Sequence, residues 1–335
     1  MINVGIIGYG YWGPNVARNF HACEKAKLVA ICDLNEKRLK LAKSTYPFIK
    51  AFSSYQELLK SEDLDVVGIV TPVLTHYELA KEALERGKHI FIEKPFTSNS
   101  AQAEELINLA SKRNLKIMVD HTFLFTGAVR KMREIVDAGE LGSLFFYDSV
   151  RVNLGLFQHD INVIWDLAPH DLSIMNYLID KKPAAISAVG TQHFGNGVED
   201  VAYLSVQFED NGFIAHFHCN WLSPVKIRRT LMSGNKKMLV WDDLSPDEKI
   251  KVYDRGVDFK NTDGIHKLLV SYRSGDVYVP KISNSEALKL EAEYFIDCLE
   301  NNREPFNNGE AGLKVVRLLE AADLSLKSDG QRIKL

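Results

Sequence analysis

The stretch GIIGYGYWG, residues 5–13, decides the fold of the first third of this chain. It places Gly8, Gly10 and Gly13 in a G-x-G-x-x-G pattern, followed by a helical run that has Pro14 in its first turn. In such a turn the first glycine allows the tight bend, the second lets a phosphate approach the backbone, and the third lets the helix pack closely on the strand. The pattern predicts a strand, a turn and a helix whose amino end binds the pyrophosphate of a dinucleotide.

The residues that follow repeat this arrangement, because apolar runs alternate with runs of helical period from residue 2 to residue 120. Apolar strands separated by amphipathic helices are typical of a parallel sheet that is covered on both faces. We therefore expect a doubly wound α/β Rossmann domain that binds its ligand at the carboxyl ends of the strands. The predicted strands are NVGIIG, KLVAICD, DVVGIV, KHIFIE and KIMVD, and the predicted helices include EKRLKLAKSTY, HYELAKEALERG and AQAEELINLASKRN.

The pattern changes after about residue 122. Two helical stretches, AVRKMREIVDAGELG and VIWDLAPHDLSIMNYLI, surround the predicted strand SLFFYDSVRV, and alternating strands follow. VAYLSVQFEDNGFIAHFHCNW predicts a hairpin that turns at Asn211 and Gly212, and SYRSGDVYV predicts a second hairpin. Two amphipathic helices close the chain, at about residues 285–301 and 309–327. This half is predicted to be an α+β domain with a large, mostly antiparallel open sheet.

The change of pattern sets the predicted domain boundary, because no flexible linker marks it. We expect a Rossmann domain over residues 1–121 and an α+β domain over residues 122–335. The last two helices are candidates to pack back on the first domain.

Composition and charge exclude several kinds of partner. The chain has 335 residues, of which 46% are apolar and 25% charged, and its net charge is −3. No basic or acidic block indicates a nucleic-acid or membrane partner, and no apolar run approaches the roughly 18 residues of a membrane span. The amino terminus carries no charged leader, so we expect a cytoplasmic protein with a small-molecule ligand. The four cysteines, which are far apart, favour separate reduced thiols over a disulfide framework.

A carboxylate follows the glycine turn at the spacing that a dinucleotide site requires. Asp33 ends the next strand, 20 residues after Gly13. A carboxylate there accepts hydrogen bonds from both ribose hydroxyls and repels a 2′-phosphate, so Asp33 predicts NAD rather than NADP. Lys37 and Arg38 are the features that favour NADP, although they also fit a solvated helix face.

The stretch TPVLTH, residues 71–76, follows another strand at the edge where adenosine or ribose passes. The same residues are also compatible with a Thr-Pro turn that only caps the next helix. Between the glycines, Tyr11 and Trp12 either flank the cofactor or pack the first turn. The predicted cofactor-binding residues are Gly8, Tyr9, Gly10, Tyr11, Trp12, Gly13, Asp33, Leu34, Arg38, Thr71, Pro72, His76, Glu93 and Lys94.

Two pairs of polar residues carry the predicted chemistry. Glu93 and Lys94 follow the strand FIE at the edge where a nicotinamide ring should lie, and the lysine can donate to a substrate oxygen. Asp166 and His170 stand four residues apart, so they share one helix face. A histidine can take a hydroxyl proton while the carbon is oxidised, and a carboxylate can orient it. Each pair alone is also compatible with a structural role.

A metal site is not predicted. His216 and His218 alternate on one strand and project to the same face, but no third ligand follows from the spacing. A polar sheet face or a subunit interface explains these two residues.

Taken together, GIIGYGYWG, Asp33, TPVLTH, GKHIFIEKP and the D-x-x-x-H of Asp166 and His170 resemble the glucose-fructose oxidoreductase and inositol dehydrogenase family, Gfo/Idh/MocA. The resemblance runs over nearly the whole chain. It implies that the Lys94–Pro95 peptide is cis and that Lys94, Asp166 and His170 form the reaction centre of an NAD-dependent enzyme. It also implies that the second domain binds substrate and forms a homodimer or homotetramer.

Within the family, NVIWDLAPHDLSI, NWLSPVKIRR and NKKMLVWDD are similar to members that act on nucleotide sugars. This resemblance implies oxidation of the C3 hydroxyl of a UDP-N-acetylhexosamine. The predicted substrate-binding residues are Lys94, Arg151, Asn153, Asp166 and His170, with further candidates at Gln158, His159, Lys226, Arg228 and Arg229.

Three alternatives stay open from the sequence. The chain could be an NADP-dependent ketosugar reductase, a dehydrogenase of a free sugar or a polyol such as inositol, or a dinucleotide-binding sensor without turnover. The combination of Lys94, Asp166 and His170 argues against the sensor, because a binding module needs no acid-base histidine.

Overall fold

The computed structural model describes residues 1–60, 63–155, 161–194, 197–210, 212–260 and 269–335, with side chains for all of these except 257–260 and 269–271. The chain forms two compact units. The first unit contains residues 1–126 and 285–317, and the second contains residues 127–284 and 318–335.

The first unit is built on a six-stranded parallel sheet with the strand order β3-β2-β1-β4-β5-β6. This order reverses direction between β1 and β4, as in the doubly wound dinucleotide-binding fold. The strands over residues 66–69, 89–92 and 117–119 are buried except at His89, because helices cover both faces of the sheet. The strands are β1 (Ile2–Ile7), β2 (Ala26–Cys32), β3 (Lys50–Phe52), β4 (Val66–Ile69), β5 (His89–Ile92) and β6 (Ile117–Val119), and the helices between them are α1 (Gly13–Ala22), α2 (Glu36–Thr45), α3 (Tyr55–Leu59), α4 (His76–Glu85) and α5 (Ser100–Lys112).

The second unit is built on a mixed sheet to which nine of the described strands contribute, in the order β16-β13-β12-β11-β7-β10-β9-β8-β17. Most neighbours are antiparallel, and β7 and β10 form a parallel pair. Its strands are β7 (Leu144–Leu154), β8 (Pro183–Thr191), β9 (Val201–Phe208), β10 (Ile214–Asn220), β11 (Leu222–Gly234), β12 (Met238–Asp242), β13 (Ile250–Tyr253), β14 (Gly256–Lys260), β15 (Leu269–Arg273), β16 (Val277–Tyr278) and β17 (Ile333–Lys334), where β14 and β15 pair with each other.

The remaining helices are α6 (Gly127–Asp137), α7 (Val163–Leu178), α8 (Ala287–Glu300) and α9 (Gly309–Leu326), and short 3₁₀ turns cover Val73–Thr75 and Thr122–Phe125. In the first unit α8 packs against α1 and the sheet, where Phe91 of β5 lies 5.2 Å from Phe20 and 6.2 Å from Phe295, measured between ring centroids. Asn162 caps the amino end of helix α7, because its side chain accepts hydrogen bonds from the backbone N–H groups of Ile164 and Trp165.

The predicted fold class is confirmed: a Rossmann sheet is followed by a large mixed sheet. The predicted pairing of β9 with β10 is also confirmed, and Asn211 of its turn lies outside the described residues. The hairpin predicted for SYRSGDVYV is wrong, because β15 pairs with β14 and β16 pairs with β13. The intervening Gly275 passes so close to Asp254 that an added Cβ would lie 2.3 Å from its carbonyl oxygen. That glycine marks a close approach of two chain segments, and not a hairpin turn.

The interior of the second unit contains a buried ion pair between Arg151 and Asp171. Nε and Nη2 of Arg151 in β7 donate to the two carboxylate oxygens of Asp171 in α7, at 2.7 and 2.9 Å. The side chains are 3% and 4% exposed. The pair joins the sheet to the helix that carries Asp166 and His170.

We expect the substitution Asp171→Asn to lower the free energy of unfolding of the second unit by about 3 kcal/mol, because it leaves the Arg151 charge buried without its counter-ion. Chemical denaturation followed by circular dichroism measures this. The control is Glu209→Gln in the pair with Lys182, where the side chains are 58% and 76% exposed and little change is expected. Equal denaturation midpoints for the two variants would contradict the role given to the buried pair.

Candidate active site

The glycine turn has the geometry of a phosphate-binding loop. Gly8 has a φ of 98°, and a Cβ added to it would lie 2.2 Å from the carbonyl oxygen of Val70. A Cβ on Gly13 would lie 2.3 Å from the carbonyl oxygen of Gly8. The first and third glycines are therefore required by the backbone itself, and α1 begins directly after the turn. This cradle fits a dinucleotide pyrophosphate.

Asp33 is held rigidly at the carboxyl end of β2. It is 7% exposed, and its Oδ2 accepts from the backbone N–H of Tyr9 at 2.7 Å while its Oδ1 accepts from that of Asn35 at 2.8 Å. Nη1 of Arg38 lies 3.6 Å from Oδ2. A carboxylate oxygen can accept more than one hydrogen bond, so these contacts leave capacity for ribose hydroxyls. The site therefore fits the adenosine ribose of NAD.

The other predicted cofactor contacts differ in exposure. Tyr11 and Leu34 are exposed and Thr71 is half-buried. His76 is fully buried, and its Nδ1 lies 2.9 Å from the carbonyl oxygen of Pro95 while its Nε2 lies 2.8 Å from that of Thr71. Burial lowers the pKa of His76. This ring joins the segments that follow β4 and β5, and its direct contact with the cofactor stays a prediction.

Lys94 lies at the carboxyl edge of the sheet. The preceding Glu93 continues the ladder, since its backbone N–H donates to Ile69 at 2.9 Å, and one oxygen of its carboxyl accepts from the backbone N–H of Lys94 at 3.1 Å. The Lys94–Pro95 peptide is cis, as the family resemblance implies.

A neighbouring group of polar residues was not predicted from the sequence. Asp120 and His121 follow β6 and are 2% exposed each. Oδ2 of Asp120 accepts from Nε1 of Trp12 at 3.2 Å, and Oδ1 accepts from the backbone N–H of Thr122 at 3.2 Å and from its hydroxyl. The available signal is the position of Asp120 at the carboxyl end of the predicted strand KIMVD, the edge at which such sheets bind ligands.

In the second unit, α7 fixes the orientation of Asp166. Nε1 of Trp221, which follows β10, donates to Oδ2 of Asp166 at 2.9 Å. His170 lies one helical turn further and is half-buried, and its carbonyl oxygen accepts from the hydroxyl of Ser173 at 2.7 Å. The i and i+4 positions place both side chains on one face of α7, as the sequence predicted. Trp221 was not predicted to take part.

Apart from Lys94, the predicted substrate contacts belong to the second unit. The Arg151 guanidinium forms a buried ion pair with Asp171. Asn153, two residues further along β7, is half-buried. Arg228 lies 3.4 Å from Asp243, and Arg229 lies 2.8 Å from Asp242. Gln158 and His159 lie outside the described residues. Substrate binding by these side chains stays a prediction.

The two strand histidines considered for a metal have other neighbours. The ring of His218 stacks on Tyr203 at 4.3 Å between centroids, and Nδ1 of His216 lies 3.7 Å from Asp148. In the described part of the chain, no group of three or more His, Cys, Asp or Glu side chains is arranged to hold a metal ion. Likewise, no helix among the described residues is both long and apolar enough to cross a membrane.

Two parts of the chain match known protein-family models. Residues 2–121 match the model of the GFO/IDH/MocA oxidoreductase family with an NAD-binding Rossmann fold, and residues 129–240 match the model of a GFO/IDH/MocA C-terminal domain. The chain is 28% identical to UDP-N-acetylglucosamine 3-dehydrogenase of Acidithiobacillus ferrooxidans over 94% of each chain. It is 31% identical to the uncharacterized oxidoreductase YdgJ of Escherichia coli over 74% of this chain and 73% of that one.

A solved structure of the Acidithiobacillus ferrooxidans enzyme superposes on this chain with a TM-score of 0.83 at 26% identity, covering 98% of this chain and 99% of that one. The glycine turn, Asp33 and the two-unit fold thus agree with the family match along the chain. The chain belongs to the GFO/IDH/MocA oxidoreductase family, and residues 2–121 match the NAD-binding Rossmann fold of that family.

Proposed function

We propose that this oxidoreductase is an NAD-dependent sugar dehydrogenase that oxidises the C3 hydroxyl of UDP-N-acetylglucosamine or a closely related UDP-N-acetylhexosamine. The observation that carries the proposal is the match over 94% of both chains to a UDP-N-acetylglucosamine 3-dehydrogenase. The orientation of Asp166 on α7, one turn before His170, supports an acid-base role for this pair.

The three proposed catalytic residues have distinct roles. Oxidation of a CH–OH group releases the hydroxyl proton, and His170 accepts it as the general base. Lys94 donates a hydrogen bond to the oxygen that becomes a carbonyl. Asp166, whose carboxylate is fixed by Trp221, orients His170 or a neighbouring sugar hydroxyl. NAD, when bound, would be the oxidant, because it would take up the hydride that leaves the carbon.

The cofactor is held by the first unit. The glycine turn binds the pyrophosphate, and Asp33 binds the ribose hydroxyls. We place Tyr9, Trp12, Thr71, Pro72 and Glu93 in the same site on their positions at the carboxyl edge of the sheet. We further propose a homodimer or homotetramer in which the second unit binds the sugar, with Asn153 among its contacts.

One observation favours a second candidate function, a ketosugar reductase that uses NADPH. Arg38 lies 3.6 Å from Asp33, so a guanidinium already borders the position of a 2′-phosphate. In this alternative Arg38 would pair with the phosphate, and Asp33 would weaken the binding of that cofactor.

The cofactor preference is tested at Asp33. We expect Asp33→Ser to weaken NAD binding by about 10-fold or more, because the ribose loses a charged acceptor, and to improve NADP binding, because the 2′-phosphate loses a like charge. Isothermal titration of both cofactors measures the two changes. Lys37→Ala, which removes an exposed cation from the same helix, is the matched variant, and it should leave NAD binding nearly unchanged. An Asp33→Ser protein with unaltered selectivity would contradict this assignment.

The catalytic roles are tested at Lys94 and His170. Lys94→Ala and His170→Ala should each reduce kcat by about 100-fold or more, because each removes a group that acts in the transition state. NAD affinity should change little. Single-turnover rates and NAD titrations separate the two effects, and His21→Asn, which removes an exposed imidazole on α1, is the control. Turnover by the Lys94→Ala/His170→Ala double variant would end the assignment.

The substrate is tested directly with a panel of UDP-N-acetylglucosamine, UDP-N-acetylglucosaminuronate, glucose and inositol. We expect NADH absorbance to rise only with a UDP-sugar, whose product mass falls by two hydrogens. An aminotransferase removes the ketone and pulls the equilibrium forward. Reaction with glucose or inositol alone would keep the enzyme class and overturn the nucleotide-sugar proposal.

A further inference from the structure

In the second unit, Trp221 links the Asp166 carboxylate of α7 to the end of the sheet. Trp221 directly follows β10 and is 0% exposed, and its Nε1 donates to Oδ2 of Asp166 at 2.9 Å. Hydrogen bonds in which the acceptor is ionised are stronger than those between two neutral groups. This contact therefore fixes the direction of one carboxylate oxygen of Asp166.

The backbone that carries this indole is held by the sheet. The N–H of Trp221 donates to the carbonyl oxygen of Asp200 at 3.0 Å, and the carbonyl oxygen of Trp221 accepts from the N–H of Gly155 at 3.1 Å. Asp200 directly precedes β9 and Gly155 directly follows β7, so the two bonds extend the pairing of β10 with both of its neighbouring strands. The position of the Trp221 backbone is therefore set by three strands.

The indole itself is held in place by its packing against Gly155. A Cβ added to Gly155 would lie 2.5 Å from Cδ1 and 3.3 Å from Nε1 of Trp221. The requirement for glycine is steric, because the φ of Gly155 lies outside the left-handed region. A buried indole has no open space into which it can retreat, so a side chain at residue 155 would displace the nitrogen that bonds Asp166.

The orientation of Asp166 matters for the chemistry of α7. The side chain of an aspartate can occupy more than one rotamer, and a fixed donor selects one of them. We propose that Trp221 is a positioning residue: its indole N–H selects one orientation of the Asp166 carboxylate, and Gly155 leaves the space that the indole needs. This role rests on the proposed function of Asp166 and His170, and it holds for any sugar that the pair oxidises.

Two substitutions distinguish positioning from the filling of space in the interior. Trp221→Phe keeps an aromatic ring in the same place but removes the N–H that Asp166 accepts. Gly155→Ala keeps that N–H but displaces it. A space-filling role predicts that both changes lower stability and leave the turnover of the folded protein alone. The positioning role predicts the same catalytic defect from two chemically different changes.

The chain contains a matched control for the loss of an indole hydrogen bond. Trp165 also belongs to α7 and is 7% exposed, and its Nε1 donates to Oδ2 of Asp323 at 2.8 Å. Trp165→Phe therefore removes a bond of the same kind from the same unit, but it leaves the bond from Trp221 to Asp166 in place. An effect on turnover that is specific to Trp221 cannot then be assigned to the loss of any buried indole bond.

The hydrogen bond is tested first without any substrate, by the indole N–H signals in proton–nitrogen correlation spectra. The chain has four tryptophans, so single Trp→Phe variants assign the signals. We expect Asp166→Ala and Gly155→Ala each to shift the Trp221 signal and to leave the signal of Trp12, in the first unit, unchanged. An unshifted Trp221 signal in Asp166→Ala would overturn the proposal, whatever the substrate.

Steady-state kinetics with whichever sugar of the panel reduces NAD is the second test. Trp221→Phe and Gly155→Ala should each lower kcat by about 10-fold and change KM and NAD affinity by less than about twofold, because Asp166 stays in place but loses its orientation. The double variant should be no slower than the slower single variant, because both changes act on one hydrogen bond. Trp165→Phe should keep kcat within about twofold of the parent protein.

Unaltered kcat in Trp221→Phe would overturn the proposal, and this variant keeps the test decisive even if thermal unfolding shows that Gly155→Ala does not fold. Losses in kcat that add in the double variant would also overturn it, as would a loss in Trp165→Phe equal to that in Trp221→Phe. If no sugar reduces NAD in the parent protein, the proposed function fails, and the indole signals still decide whether Trp221 holds Asp166.

Discussion

The close passage of Gly8 past the carbonyl of Val70 is the constraint on which the first unit depends. A Cβ at this position would lie 2.2 Å from that oxygen, so the turn after β1 exists only because the residue is glycine. The turn places the start of α1 above the sheet edge, with Asp33 at the end of β2 on one side and Lys94 after β5 on the other. The carboxyl edge of this sheet can thus present groups to the phosphates, to the ribose and to the reacting carbon.

Buried charges organise both units by different means. In the second unit Arg151 and Asp171 neutralise each other, and the pair ties β7 to α7. In the first unit burial raises the pKa of Glu93 and of Glu291 well above the ordinary range of a carboxyl group. Pairing with a counter-ion and a raised carboxyl pKa are two responses to the same cost, which is the removal of charge from water.

The residues proposed for chemistry sit on elements whose positions are set by other residues. Asp166 projects from α7, and Trp221 beyond β10 fixes its carboxylate. The ring nitrogens of His76 lie 2.9 and 2.8 Å from the carbonyl oxygens of Pro95 and Thr71, so this buried ring packs between the segments that follow β5 and β4. Positioning of this kind matters because a displacement of about 1 Å can reduce a catalytic rate by about 100-fold.

The sequence alone determined the fold class, the glycine turn, the carboxylate at Asp33 and the helix that carries Asp166 and His170, because these follow from local spacing and hydrophobic period. It did not determine that β15 and β16 pair with different strands, since partner choice depends on chain segments far apart in sequence. Only the tertiary structure decided that Asp120 accepts a hydrogen bond from Trp12, which lies 108 residues earlier in the chain, because such a contact depends on how distant segments pack.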